Sequence, residues 1–195
     1  METDFAPFND SQIRYRILQA ARAILEQLVR QRTGPLPHQP PRHPGLPESI
    51  AALRPGLFVT LKIGTSLRGC IGHITGRESL EEALPELTRA AAFEDPRFPP
   101  VRLDELSAIR IEISLLTPPE PVAIWQDIVI GRHGMILARQ GRQAVFLPQV
   151  AGEQGWDIAA TLTALSRKAG LSPDAWRAPD CRFQVFEAIH FAEEA

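Results

Sequence analysis

The sequence predicts an α+β protein built mainly on antiparallel sheet, with helices packed on that sheet. Three observations lead there. Leu57 to Ile63 and Leu67 to Ile74 alternate on either side of a short turn, and Ile109 to Leu115 alternates again. Ile13, Ile17, Ala20, Ile24 and Leu28 recur at three- and four-residue steps, the period of a helix with one apolar face. Strands and helices follow one another without a strict βαβ rhythm, which argues against a parallel sheet.

In chain order, Asp10 or Ser11 caps the first helix, and Gly34-Pro35 bounds it. Residues 34–47 follow as a proline-rich surface loop, unable to continue as helix or central strand. Leu57, Val59, Leu61 and Ile63 face one way, Thr60 and Lys62 the other. Gly64-Thr65-Ser66 turns the chain into a returning strand, giving a hairpin. Ser79 caps a second helix running through Ala92, where Pro85 predicts a kink or a late start. Three short strands are expected at Ile128–Ile130, Met135–Ala138 and Ala144–Leu147. Asp157 caps a last helix to Lys168, with Gly170 as its left-handed stop. Cys181 to Phe191 alternates and is expected as one closing strand.

Composition bounds the function. The 195 residues are 44% hydrophobic and 23% charged, an ordinary globular balance for one large domain or two small subdomains. A net charge of −2 gives no reason to expect nucleic acid, whose binders carry a basic stripe. No basic head precedes an apolar stretch, and no long apolar run occurs, so neither a signal peptide nor a membrane partner is expected. The two cysteines lie far apart and read as reduced thiols of a cytoplasmic protein. Histidines are scattered singly, so neither a metal nor another cofactor is expected.

The sharpest element is LRGCIGHI, Leu67 to Ile74. It sets Cys70 between Gly69 and Gly72, with Arg68 two residues upstream. Glycine lets backbone or ligand approach a thiol closely, and a nearby cation favours a thiolate. On a regular strand Arg68 and Cys70 share a face while His73 points to the other, so a Cys–His pair would need His133 or His190 brought in by folding, or a bulge at Gly72. A guanidinium stabilises anions but takes up no proton. Equally, a cysteine between glycines is what tight packing produces. Asp95 and Arg97, in AAAFEDPRFPP (90–100), pair across a turn, as a rigid helix exit or as the wall of a polar pocket. Glu112 sits between isoleucines, where a carboxylate finds a partner, faces water or carries a proton.

Taken together, LRGCIG (67–72), the 90–100 segment, IEISLLTPP (111–119), GRHGMIL (131–137), FLPQVAGEQGWD (146–157) and SRKAGL (166–171) resemble the signature blocks of the AMMECR domain family. Its bacterial and archaeal members are similar to the A component of the AmmeMemoRadiSam system. The resemblance covers about Ile13 to Phe191. It implies one AMMECR-type domain over 10–195, made of two subdomains with a cleft between them, and the cysteine hexapeptide near that cleft. It implies a Memo-like protein and a radical S-adenosylmethionine enzyme as partners. The site expected from residues and resemblance together has Cys70, Arg68 and Glu112 as catalytic groups. Gly69, Gly72, His73, Asp95, Arg97 and His133 line a place for a small polar ligand. The competing reading is a binding or scaffold subunit in which Cys70 only packs, with the proline loop offering an extended segment to a partner groove.

Overall fold

The computed structural model describes residues 5–31 and 45–194. The chain divides into two units, one over Met1–Leu116 and Ile189–Ala195, the other over Thr117–Ala188. Each is built on a four-stranded antiparallel sheet. Most of the proline-rich loop expected at 34–47 lies outside the described residues.

In the first unit, helix α1 (Ser11–Arg30) starts where a cap was expected: the Asp10 carboxylate accepts the Gln12 N–H at 2.7 Å. Its buried face is Ile17, Ala20, Ala21, Ile24, Leu25 and Leu28. A short helix α2 (Glu48–Ala51) precedes the hairpin of β1 (Gly56–Ile63) and β2 (Ser66–His73). Helix α3 (Leu80–Phe93) carries a capping box: the Ser79 side-chain oxygen accepts the Glu82 backbone N–H, and the Ser79 N–H donates to the Glu82 carboxylate at 3.1 Å. It begins directly after this cap and runs through Pro85, so the late start expected from proline does not occur. Strand β3 is Ile109–Leu116. Leu57, Val59, Leu61, Ile111 and Ile113 share one core with the buried faces of α1 and α3. Burying each such side chain contributes about 1.5–3 kcal/mol.

The second unit holds β4 (Glu120–Val122), β5 (Gly134–Arg139), β6 (Arg142–Phe146), α4 (Pro148–Gln154), α5 (Ile158–Lys168) and β7 (Arg182–Phe186). The β5–β6 turn is Gln140-Gly141, both with positive φ, as a two-residue hairpin requires. Leu137 and Phe183 of the sheet meet Leu162 and Leu165 of α5 and Trp176, which stacks edge-on against Trp125 at 5.0 Å.

Three expectations are corrected. Ile128–Ile130 is not a strand; a 3-10 turn at Trp125–Asp127 leads into irregular chain there. Helix α4 stands where none was expected. The closing strand is two: β7 joins the second sheet, while β8 (Ala188–Ala192) joins the first beside β3. Glu187 makes the break: its N–H donates to the Thr117 hydroxyl, and its carbonyl accepts the Thr117 N–H. Alternation continues through such a break, so periodicity alone reads it as one strand.

Candidate functional site

The pairing of the first sheet sorts its side chains. Leu57 faces His73, Val59 faces Ile71 and Leu61 faces Gly69, all on the side that carries the helices. Thr60 pairs with Cys70 on one flank and Glu112 on the other. Cys70, Thr60 and Glu112 therefore form a row across three strands on the opposite face. Within the row, the Thr60 hydroxyl donates to the Cys70 sulfur at 3.2 Å. Glu112 is 7% exposed and pairs with Lys62 Nζ at 3.0 Å; His190 Nε2, on β8, stands 3.8 Å from the same carboxylate oxygen. The Nδ1 of His190 shares a hydrogen bond with the Ser114 hydroxyl at 3.1 Å.

Arg68 does not join this row. Leu61 pairs with Gly69 but Lys62 with Leu67, so Arg68 is the extra residue of a β-bulge. The bulge breaks the alternation that would set Arg68 beside Cys70. Its guanidinium forks onto Glu105, at 2.6 and 3.0 Å, and holds that carboxyl below the usual carboxylate range.

The cation at the thiol's strand is Arg97. Its Nη2 donates to the Cys70 carbonyl at 3.2 Å, while the Cys70 N–H donates to Asp95 Oδ2 at 2.8 Å. Arg97 also forks onto Asp95, at 2.9 and 2.7 Å. The Asp95 side chain is 2% exposed, and the Arg97 hydrogen bonds hold its carboxyl far below its ordinary value against the opposing effect of burial. Arg97 is raised in turn, first by Asp95 and also by Cys70.

The glycines answer to packing. A Cβ on Gly69 would lie 2.1 Å from the Ala91 carbonyl oxygen of α3, and one on Gly72 would strike the Leu57 carbonyl and the Phe58 ring at 2.3 and 2.4 Å. The room beside both is filled by the protein itself. His73 lies on the helix side, lining a cavity of about 10 Å³ with Leu57, Ala83 and Leu87. His133 belongs to the second unit, where its Nδ1 accepts the Val129 N–H at 3.1 Å and closes a turn. His190 stands on a strand three places from β2, and at about 4.8 Å per strand that separation is on the order of 14 Å. It does not reach Cys70.

The structure thus brings Cys70, Glu112, Asp95 and Arg97 to one part of the first sheet and turns Arg68 and His73 away from it, while His133 belongs to the other unit. Thr60, Lys62 and Ser114 were absent from the expected site, although the alternation of LFVTLKI and IRIEISLL already put them on the polar side. Among the described residues, no group of three or more His, Cys, Asp or Glu side chains could hold a metal ion. No described helix is long and apolar enough to cross a membrane.

Comparison with known proteins places this architecture. The AMMECR1 family model matches residues 18–191. Protein MK0488 of Methanopyrus kandleri is 46% identical over 157 residues, 76% of each chain. A protein of Methanothermobacter thermautotrophicus is 38% identical over 196 residues, 97% of this chain and 98% of its own. The crystal structure of uncharacterized protein PH0010 from Pyrococcus horikoshii superposes with a TM-score of 0.84 at 33% identity, covering 95% of this chain and 93% of that one. With the matched residues reaching from α1 to β8, the chain belongs to the AMMECR1 family.

Proposed function

We propose that this protein binds a small polar molecule on the polar face of the β2-β1-β3-β8 sheet, and that Cys70 is the group that reacts with it. The observation that carries this reading is the row itself. A half-buried thiol, a hydroxyl hydrogen-bonded to its sulfur and a buried carboxylate held by a lysine share one face of one sheet. A cysteine kept only for packing needs no such company. In this reading Cys70 is the nucleophile and Thr60 steadies its anion. Glu112, two strands away, anchors the far end of the ligand by hydrogen bonding, with Lys62, Ser114 and His190 setting its surroundings. Arg97 stands at the near end. Arg68, held by Glu105, supports the strand.

One observation favours a second reading. Neither His73 nor His190 stands beside Cys70, so neither can serve as the partner base of an ordinary cysteine hydrolase. A subunit that holds a molecule for a radical S-adenosylmethionine enzyme and a Memo-like protein needs no such base. Co-purification of those two proteins with this chain, lost on Cys70→Ser, supports that reading.

The test of the first reading is protection. In a Cys181→Ser protein, iodoacetamide labels Cys70 alone. Fractions of small polar metabolites are added, and the labelling rate is read by mass spectrometry. At least one fraction should slow the rate, and Glu112→Gln should weaken that protection. If no fraction protects Cys70, the ligand site beside it is rejected.

A further inference from the structure

We infer that Asp95 and Arg97 form a clamp at the edge of β2, which has no further strand beside it among the described residues, and that they are positioning residues for Cys70. Strand β2 ends the sheet order and has β1 as its strand neighbour. In an antiparallel pair, every second residue turns its N–H and C=O away from the partner strand. Cys70 is such a residue: its N–H meets Asp95 at 2.8 Å and its carbonyl meets Arg97 at 3.2 Å. One carboxylate oxygen and one guanidinium nitrogen thereby supply the acceptor and donor that a residue of a further strand would present. An open edge is a template for unwanted pairing, and here two side chains occupy it.

The same geometry sets the sulfur. A residue whose backbone groups point outward belongs to a non-hydrogen-bonded pair, the arrangement in which cross-strand side chains come closest. That is why the Thr60 hydroxyl reaches the Cys70 sulfur at 3.2 Å. The clamp is itself anchored. Asp95 follows the end of α3, where the Glu94 N–H donates to Ala90 and the Val101 N–H to Ala92, at 2.8 and 2.9 Å. The Ala91 carbonyl of that same helix end presses on Gly69. Two consecutive residues of β2 are thus gripped by one helix terminus, which accounts for the pairing of a glycine with a cysteine in the motif.

This inference deepens the reading of Cys70 as the reacting group, but its first readout is independent of it. In the Cys181→Ser protein, amide hydrogen exchange is followed at Cys70, with the Leu61 amide as internal reference. Asp95→Ala should speed exchange at Cys70 on the order of tenfold, the loss of one hydrogen bond to a charged acceptor. Asp95→Asn, which retains an acceptor oxygen, should give a smaller rise. The second readout is the iodoacetamide rate against pH. Its profile should move in Asp95→Ala and return toward the parent in Asp95→Asn. Unchanged Cys70 exchange in a folded Asp95→Ala protein overturns the clamp. If that variant fails to fold, Arg97→Gln decides, because Arg97 is 55% exposed and its loss removes the carbonyl half of the grip. Exchange at Cys70 should then rise about threefold, and no rise overturns the inference. Should Cys70 prove inert to iodoacetamide while its exchange responds as stated, the clamp stands and the reactive-cysteine reading falls.

Discussion

Each unit of this protein backs a four-stranded antiparallel sheet with helix, yet the two treat their cysteines in opposite ways. In the first, Cys70 points to the polar face, its sulfur hydrogen-bonded by Thr60 and its backbone held by Asp95 and Arg97. In the second, Cys181 packs against the hydrophobic cluster that contains Trp176 and Phe183, and burial pushes its thiol up against the pull of Arg139. The two glycine environments contrast likewise. Gly69 is wedged against a helix carbonyl, whereas nothing lies within 4 Å of a Cβ added to Gly152. The difference teaches that residue type alone does not mark a site; the face of the sheet and the backbone across from it do.

The largest test of that contrast is a pair of alanine substitutions. Gly69→Ala drives a methyl into the Ala91 carbonyl, backbone that cannot swing away, and should cost about 3 kcal/mol or more in urea unfolding. Gly152→Ala, inside α4 with open space around it, should instead stabilise by about 0.5–1 kcal/mol. Equal effects at the two positions would break the comparison.

Next in size is the acid limb of stability. The Asp95 carboxyl lies below its unfolded value of 3.8 in the folded protein, so its contribution is complete above that pH. The contribution is lost as pH falls toward the folded value, because the unfolded chain then binds the proton first. Asp95→Asn should lower stability by about 2 kcal/mol at pH 7 and flatten the decline below pH ~4. A parent-like acid limb in the variant would show that the Arg97 fork does not hold this carboxylate.

The smallest expected effect concerns the two thiols directly. At pH 8, iodoacetamide should label Cys181 about tenfold more slowly than an exposed model thiol, because burial disfavours its thiolate. Peptide mapping by mass spectrometry reads both sites at once. Cys181 labelling at the rate of the model thiol would remove the contrast between the units.

Much of the scaffold was legible. The caps at Asp10, Ser79 and Asp157 and the stop at Gly170 depend on interactions within a few residues, and all appear; the hairpin turn is shorter than expected, Gly64-Thr65 alone, because Ser66, already in β2, pairs with Ile63. Helix α4 does not show in the sequence, although Pro148 at its start and Gly155, with φ +64, at its end bracket it. Seven residues containing a glycine show too little periodicity to stand out. Within the site, alternation alone put Thr60 and Lys62 on the face away from the core. The Arg68 bulge was not legible, because an extra residue leaves no mark on one strand and exists only relative to its partner.

By itself, then, the chain's alternation and capping chemistry determined the local elements, the antiparallel hairpin and the residues worth watching at 67–72 and 90–100. Only the tertiary structure decided which cation meets Cys70 and which histidine does not. It set Arg97, 27 residues on, there from the turn after α3, turned Arg68 to Glu105, and carried His190 to the opposite edge of the sheet. The physical reason is that strand order and register arise from packing between distant segments, and a slip of one residue reverses the face of every side chain beyond it.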